Sequence, residues 1–274
     1  MNIVYFGCDI SLKVFQKLID LNHRILALYT FHNPYDLVHE EKMTAVAQDI
    51  GVEIHYDAMP LAKAEELFAS GACDVFVSAE YNRMIPIPHS EGFKGVNIHN
   101  SLLPEGKGFF TVETRKFLRI PYGGVTFHKL TDAFDEGDIL AQKKFPLCET
   151  DDVPRIYRKC ETVSEMMCQT IFASGEVFAK HWADARAQQG EATVWYPSKR
   201  ERAIAASMTL EQARYLFLCY DRFTFAHVDG GLRRVMSVHE GDPLNPLGRA
   251  LVAERFDYIP YSLKDGVLWL ALET

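Results

Sequence analysis

Short apolar runs rich in β-formers alternate with amphipathic stretches through the first two-thirds of the chain, and that alternation leaves few folds open. Residues 2–6 (NIVYF), 24–29 (RILALY), 52–55 (VEIH), 74–79 (DVFVSA), 95–99 (GVNIH) and 123–128 (GGVTFH) read as strands. Helices are predicted between them. The first starts at Ser11, placed to cap it, with Val14, Phe15, Leu18 and Ile19 on one face. Others cover 40–49, 61–70 (ended by Gly71) and 111–119. Strands and helices in this rhythm build a doubly wound, mostly parallel (Rossmann-like) α/β sheet with helices on both faces. Residues 153–182 read as one long helix, with Val163, Met166, Met167, Ile171 and Phe172 forming an apolar, core-facing stripe.

The rhythm stops at residue 183. Residues 184–200 (DARAQQGEATVWYPSKR) are polar and aperiodic, so they are predicted to link a domain over 1–183 to a second over 201–274. In the second, a helix at 209–218 precedes the strand-like pieces FTFAHV, LRRVMSV, RALVAERF and VLWLAL. The turns DGG, GDPLNP and KDG separate those pieces, giving a small β-rich module.

Charge narrows the partners. The chain carries 29 Lys and Arg against 37 Asp and Glu, a net charge of −8, and residues 201–274 hold 8 basic and 10 acidic residues. Nucleic-acid binding works by phosphate neutralisation and needs a basic surface, so it is disfavoured. No apolar run approaches the roughly 20 residues of a membrane span. The start MNIVYFGCDI reads as a strand, not a signal peptide, and a cytoplasmic location is expected. The six cysteines contain no C-x-x-C pair, which suits buried thiols in a reducing compartment and no metal site. After the first strand, FGCDIS has a single glycine where a dinucleotide fingerprint has three. Neither a P-loop nor a G-x-S-x-G elbow is present.

The most informative stretch is GVNIHNSLLPEGKG (95–108). Asn97 and His99 lie two apart on a strand, so both side chains leave one face, near the strand end where open α/β sheets place ligands. DAFDEGD (132–138) follows the GGVTFH strand, and a loop over the sheet's edge would let Asp135 reach back to His99. An amide can hold a developing oxyanion. An imidazole can move a proton near neutral pH, and a carboxylate orients it and raises its pKa. That set suits attack of an amine on an acyl carbon without a covalent enzyme intermediate. The same residues also read as a turn-capping Asn, a satisfied core His and two acids bracketing Gly137, and the residues alone leave both readings open.

NIHNSLLP (97–104), GVTFHKL (124–130) and FDEGDIL (134–140) resemble the folate-dependent formyltransferase family, whose members formylate methionyl-tRNA, glycinamide ribonucleotide or amino sugars. The resemblance covers roughly residues 1–200. It implies a catalytic trio of Asn97, His99 and Asp135, with N10-formyltetrahydrofolate as formyl donor, an amine as acceptor and no metal. It places AEYNRMIP (79–86) at the pterin loop, so that Arg83, Met84 and Ile85, with Thr131 and Asp132, would hold the pterin. Gly106, Lys107 and Phe109 would line the acceptor side, with Lys107 either facing a phosphate or simply exposed. Two departures stand out: Asn100 replaces the family's common proline or alanine, and EGKGFF (105–110) lacks the basic, tryptophan-containing run of the tRNA-formylating members. The expected acceptor is therefore a small-molecule amine, first a nucleotide-linked amino sugar. Methionyl-tRNA formylation and formyltetrahydrofolate hydrolysis are the alternatives. Tyr258, Tyr261 and Trp269 are expected as the surface of a homodimer.

Overall fold

Seven strands build the sheet that carries the polar stretch after residue 95: β1 (Asn2–Gly7), β2 (Arg24–Tyr29), β3 (Glu53–His55), β4 (Val75–Ala79), β5 (Gly95–His99), β6 (Tyr122–Lys129) and β7 (Ile139–Pro146), in the order β3-β2-β1-β4-β5-β6-β7. The structure is a computed structural model that describes residues 1–32, 41–240 and 256–273. It divides into two units, Met1–Val112 with Pro121–Trp195, and Glu113–Ile120 with Tyr196–Thr274.

In the first unit β1 to β5 run parallel, while β6 runs antiparallel to β5 and β7 antiparallel to β6. Helices α1 (Leu12–Asp20), α2 (Glu41–Asp49) and α3 (Leu61–Ala69) connect the first four strands in turn, α4 (Thr111–Phe117) lies between β5 and β6 and belongs to the second unit from Glu113 on, and α5 (Val153–Ile171) and α6 (Gly175–Ala183) follow β7. Residue 40, expected to open α2, lies outside the described residues. Strand β1 is buried on both faces, as a central parallel strand must be. Ile3 and Tyr5 join a cluster with Val14, Phe15 and Leu18 of α1 and Ile156 and Cys160 of α5. Val4 and Phe6 join the opposite cluster with Ala64 and Phe68 of α3. Each such side chain contributes about 1.5–3 kcal/mol by burial.

Several details differ from the sequence reading. Ser11 precedes α1, but its hydroxyl turns inward, 3.0 Å from the Cys8 carbonyl and 3.1 Å from that of Ala79, and caps nothing. The predicted helix 153–182 breaks after Ile171, because the Ser174 side chain accepts from Val177 N at 3.2 Å and starts α6. The buried stripe of α5 is Ile156, Cys160, Ser164, Cys168 and Ile171, and Met166 is 64% exposed. Strand β7 is missing from the sequence reading: it is an edge strand whose three polar residues, Gln142, Lys143 and Lys144, run together and break any apolar alternation. Of 184–200, residues 184–195 belong to the first unit. Arg186 exchanges two backbone hydrogen bonds with Ile139, and Thr193–Trp195 pair with Pro104–Phe110, so this part is not a free linker.

The second unit holds a five-stranded sheet of β8 (Ala203–Ile204), β9 (Phe225–Val228), β10 (Gly231–His239), β11 (Phe256–Leu263) and β12 (Gly266–Glu273), ordered β11-β12-β10-β9-β8. Helix α7 (Leu210–Tyr220) starts at a reciprocal cap between Thr209 and Gln212. Asp229 and Gly230 both take positive φ in the β9–β10 hairpin, the conformation that the DGG signal predicts. Strand β11 contains Pro260, which reads against a strand but is tolerated where, among the described residues, the strand forms the edge of its sheet. The GDPLNP turn and residues 249–255 of RALVAERF lie outside the described residues. Tyr258, Tyr261 and Trp269, expected on a dimer surface, are half-buried. Tyr261 Oη donates to the Ile204 carbonyl at 3.2 Å.

Candidate active site

The site grows from the β5–β6 pair. Their antiparallel register sets Asn97 opposite His128 and His99 opposite Thr126, so four polar side chains share one face. Asn97 Nδ2 donates to His128 Nε2 at 3.1 Å. Thr126 Oγ1, fully buried, donates to the Ser101 carbonyl at 2.7 Å and accepts from Leu103 N at 3.2 Å and Gln142 Nε2 at 2.9 Å. Those bonds fix the turn that carries SLLP away from His99.

Asp135 arrives from an unexpected side. β6 descends along β5, so the 130–138 loop leaves at the level of Val96, not at the sheet's C-terminal edge. It then folds back over the face. Asp135 takes a positive φ of 55°, and a Cβ on Gly137 would lie 1.9 Å from the Lys129 carbonyl oxygen, so only glycine fits that turn. Asp135 Oδ2 accepts from Gly108 N at 2.9 Å. Its Oδ1 lies 3.5 Å from His99 Nδ1 and 3.6 Å from His128 Nε2.

Carbonyl oxygens only accept, and this assigns the ring protons. His99 Nε2 is 2.7 Å from the Gly106 carbonyl and His128 Nδ1 is 2.9 Å from that of Lys129, so both nitrogens carry hydrogen. The two remaining ring nitrogens converge on one carboxylate oxygen. A neutral His128 uses that nitrogen to accept from Asn97, which leaves the carboxylate to His99. Burial works to raise the Asp135 pKa. The adjacent imidazoles of His128 and His99 and the Gly108 N–H outweigh it and bring the carboxyl down to about 2.

The structure thus brings Asn97, His99 and Asp135 together around His128. Gly106, at φ 72°, lies under Trp195, whose ring would sit 2.6 Å from any Cβ there. Lys107 is neither exposed nor free: it is buried, and its ammonium lies 2.6 Å from Glu136 Oε2. Phe109 is 54% exposed. On the pterin side, Ile85 is buried in the α3-facing cluster, against which Phe93 and Leu130 also pack, so the loops after β4 and β6 meet at one apolar patch. Arg83 is exposed and donates to the Tyr56 carbonyl at 2.7 Å. Met84, Thr131 and Asp132 are exposed. Asn100 donates to Glu80 Oε1 at 2.5 Å. Among the described residues no group of three or more His, Cys, Asp or Glu is arranged to hold a metal.

Sequence reasoning missed His128, Thr126 and Gln188. The first two were legible, since β6 alternates like β5 and GVTFH sets Thr and His on one face. Gln188 lies in the stretch read as linker, yet its Nε2 reaches the Asp135 and Gly137 carbonyls.

Fold and site together define an α/β protein with an amide–imidazole–carboxylate cluster on its sheet. The chain belongs to the formyl transferase family, whose model matches residues 30–171, just over half of it. It is 25% identical over 182 residues to the methionyl-tRNA formyltransferase of Geobacillus thermodenitrificans, covering 62% of this chain and 56% of that protein, so the chain spans little over half the relative's length. In structure it is similar to HypX from Aquifex aeolicus in complex with tetrahydrofolic acid (TM-score 0.64, 16% identity, 98% of this chain and 43% of that one). It is also similar to the N-formyltransferase from Helicobacter canadensis in complex with folinic acid and dTDP-3-aminofucose (TM-score 0.61, 17% identity, 100% and 99%).

Proposed function

We propose that the chain is an N-formyltransferase that takes a formyl group from N10-formyltetrahydrofolate and passes it to a small-molecule amine, first a nucleotide-linked amino sugar. The observation that carries the chemistry is the convergence of His99 Nδ1 and His128 Nε2 on Asp135 Oδ1. The folate donor supplies the formyl carbon. The apolar patch where the loops after β4 and β6 meet suits a flat heterocycle, with the backbone at Arg83, Met84 and Ile85 and at Thr131 and Asp132 reading its polar edge.

The residues divide the work. Asn97 has a second N–H beyond the one given to His128, and that N–H answers negative charge developing on the formyl oxygen. His99, held by its Nε2–H bond to the Gly106 carbonyl, turns Nδ1 toward Asp135. Asp135 with the two imidazoles holds the proton that the attacking amine loses and returns it to the departing nitrogen. The acceptor enters beside Gly106 and Phe109. Lys107, neutralised by Glu136, supports that wall rather than binding phosphate. Six scattered cysteines with no C-x-x-C spacing suit a cytoplasmic setting.

The amino-sugar reading is supported by the Helicobacter canadensis enzyme, which this chain matches along nearly the whole of both. The net charge of −8 also favours it over a tRNA. Methionyl-tRNA is the second reading, favoured by the name of the Geobacillus relative. The test is to incubate the protein with N10-formyltetrahydrofolate and nucleotide amino sugars, and separately with charged initiator tRNA. A mass gain of one formyl group on a sugar supports the first reading. Transfer to tRNA alone replaces it with the second, and transfer to neither overturns both.

A further inference from the structure

Gln188 has no role in the chemistry as described, yet its side chain is committed to the Asp135 loop. Its Nε2 lies 2.7 Å from the Asp135 carbonyl and 3.0 Å from the Gly137 carbonyl. Both partners only accept, so the amide orientation is settled: the NH2 end faces the loop, and each of its hydrogens serves one carbonyl. The opposite atom, Oε1, is buried and has no partner among the described residues. Burying a polar atom without a partner is unfavourable. An amide held at that cost is specified by what its other end does.

The residues it clamps are those with the least freedom to relax. Asp135 has a positive φ of 55°, unfavourable for a residue with a Cβ, and Gly137 has no room for a side chain against the Lys129 carbonyl. Two carbonyls two residues apart point at one donor group only while the loop keeps this turn. In that turn, and from the far side of β5, the Asp135 carboxylate reaches Gly108 N and the two ring nitrogens.

We propose that Gln188 is a positioning residue for the reaction: by clamping the Asp135 and Gly137 carbonyls it fixes the turn that aims the Asp135 carboxylate between His99 and His128. This deepens the formyltransferase reading and rests on it for its kinetic consequences alone, since the clamp can be read without turnover.

The test uses the full chain with Gln188→Met, which removes both donors at similar volume, and Gln188→Glu, which keeps the shape but donates only when protonated. Both are expected to keep the circular dichroism of the parent. In Gln188→Met, kcat falls about 10²-fold, the cost of misplacing a reacting group by about 1 Å, with acceptor KM unchanged. In Gln188→Glu part of the loss is recovered as pH is lowered. Carbon-detected NMR titration of the Asp135 carboxyl, which needs no substrate, shows it moving up from about 2 toward 3.8 in both variants. The proposal is overturned if the carboxyl titrates in the variants as in the parent, whether kcat is unchanged or falls along with the melting temperature. If Gln188→Met does not fold, Gln188→Glu decides by the same titration. A parent protein that formylates no amine sinks the functional reading and leaves the titration to judge the clamp.

Discussion

Replacing Asp135 with asparagine isolates the charge at the centre of the site. The amide keeps an oxygen for Gly108 N–H and nearly the same shape, but it gives the two imidazoles no anion. The carboxyl's pKa falls from its ordinary 3.8 to about 2 on folding, despite burial that opposes the fall. At about 1.4 kcal/mol per unit this is about 2 kcal/mol of stabilisation. Because the folded value lies below the unfolded one, the contribution is complete above pH 3.8 and is lost as pH falls through about 2. Asp135→Asn is therefore expected to be less stable than the parent by about 2 kcal/mol at mildly acid pH. The gap should shrink steadily below pH 3.8 and nearly vanish at about 2. Urea denaturation followed by circular dichroism at a series of pH values measures it, provided the denaturant slopes of the two proteins agree. A gap below about 0.5 kcal/mol at mildly acid pH, the size of an ordinary surface substitution, would refute the reasoning. So would a gap of the same size at both ends of the series, which would point to packing, not charge.

Other expectations follow from the same geometry. Asn97→Ala should lower formyl transfer by about 10²–10³, the usual loss for one oxyanion donor, and His99→Ala by about 10²–10⁴, the usual loss for a proton-transfer group, both with unchanged circular dichroism; near-normal turnover in either would remove that residue from the trio. Gly106→Ala must fit a methyl group 2.6 Å from the Trp195 ring at a φ of 72°, so a loss of about 1–3 kcal/mol in chemical denaturation is expected. Thr126→Val keeps the volume but strips the buried oxygen that holds Ser101, Leu103 and Gln142; a loss of about 1–3 kcal/mol, read by the same assay, is expected, and a neutral result would mean that water replaces the hydroxyl.

How much could be read from the sequence depended on whether a residue's signal was local. Strands β1, β2, β4 and β5 are buried in the sheet and announce themselves as apolar runs, and the DGG hairpin announces itself by its turn residues. Strand β7 does not, because an edge strand with lysines outward carries no apolar alternation. Nor does β11, because Pro260 is admissible only if the strand is on an edge, a fact about neighbours. Met166 reads as core by type and is exposed by phase: the buried line of α5 runs through Cys160, Ser164 and Cys168 instead. In the site, Asn97 and His99 were legible from their spacing on one strand. Gln188 was not, since its partners are backbone carbonyls 53 and 51 residues earlier, and the residues around it are polar and aperiodic.

The route of the Asp135 loop explains why the trio needs an antiparallel neighbour. Had β6 run parallel to β5, its C-terminal end would have risen beside His99, and an acid in the following loop would have met the imidazole directly from the sheet's edge. Instead Lys129 ends opposite Val96, three residues below His99. The loop must climb back over the face, and the climb is what demands the positive φ at Asp135, a glycine at 137 and a donor that holds two carbonyls together. The same antiparallel register sets His128 opposite Asn97. One change of strand direction therefore creates both the second imidazole and the strained loop.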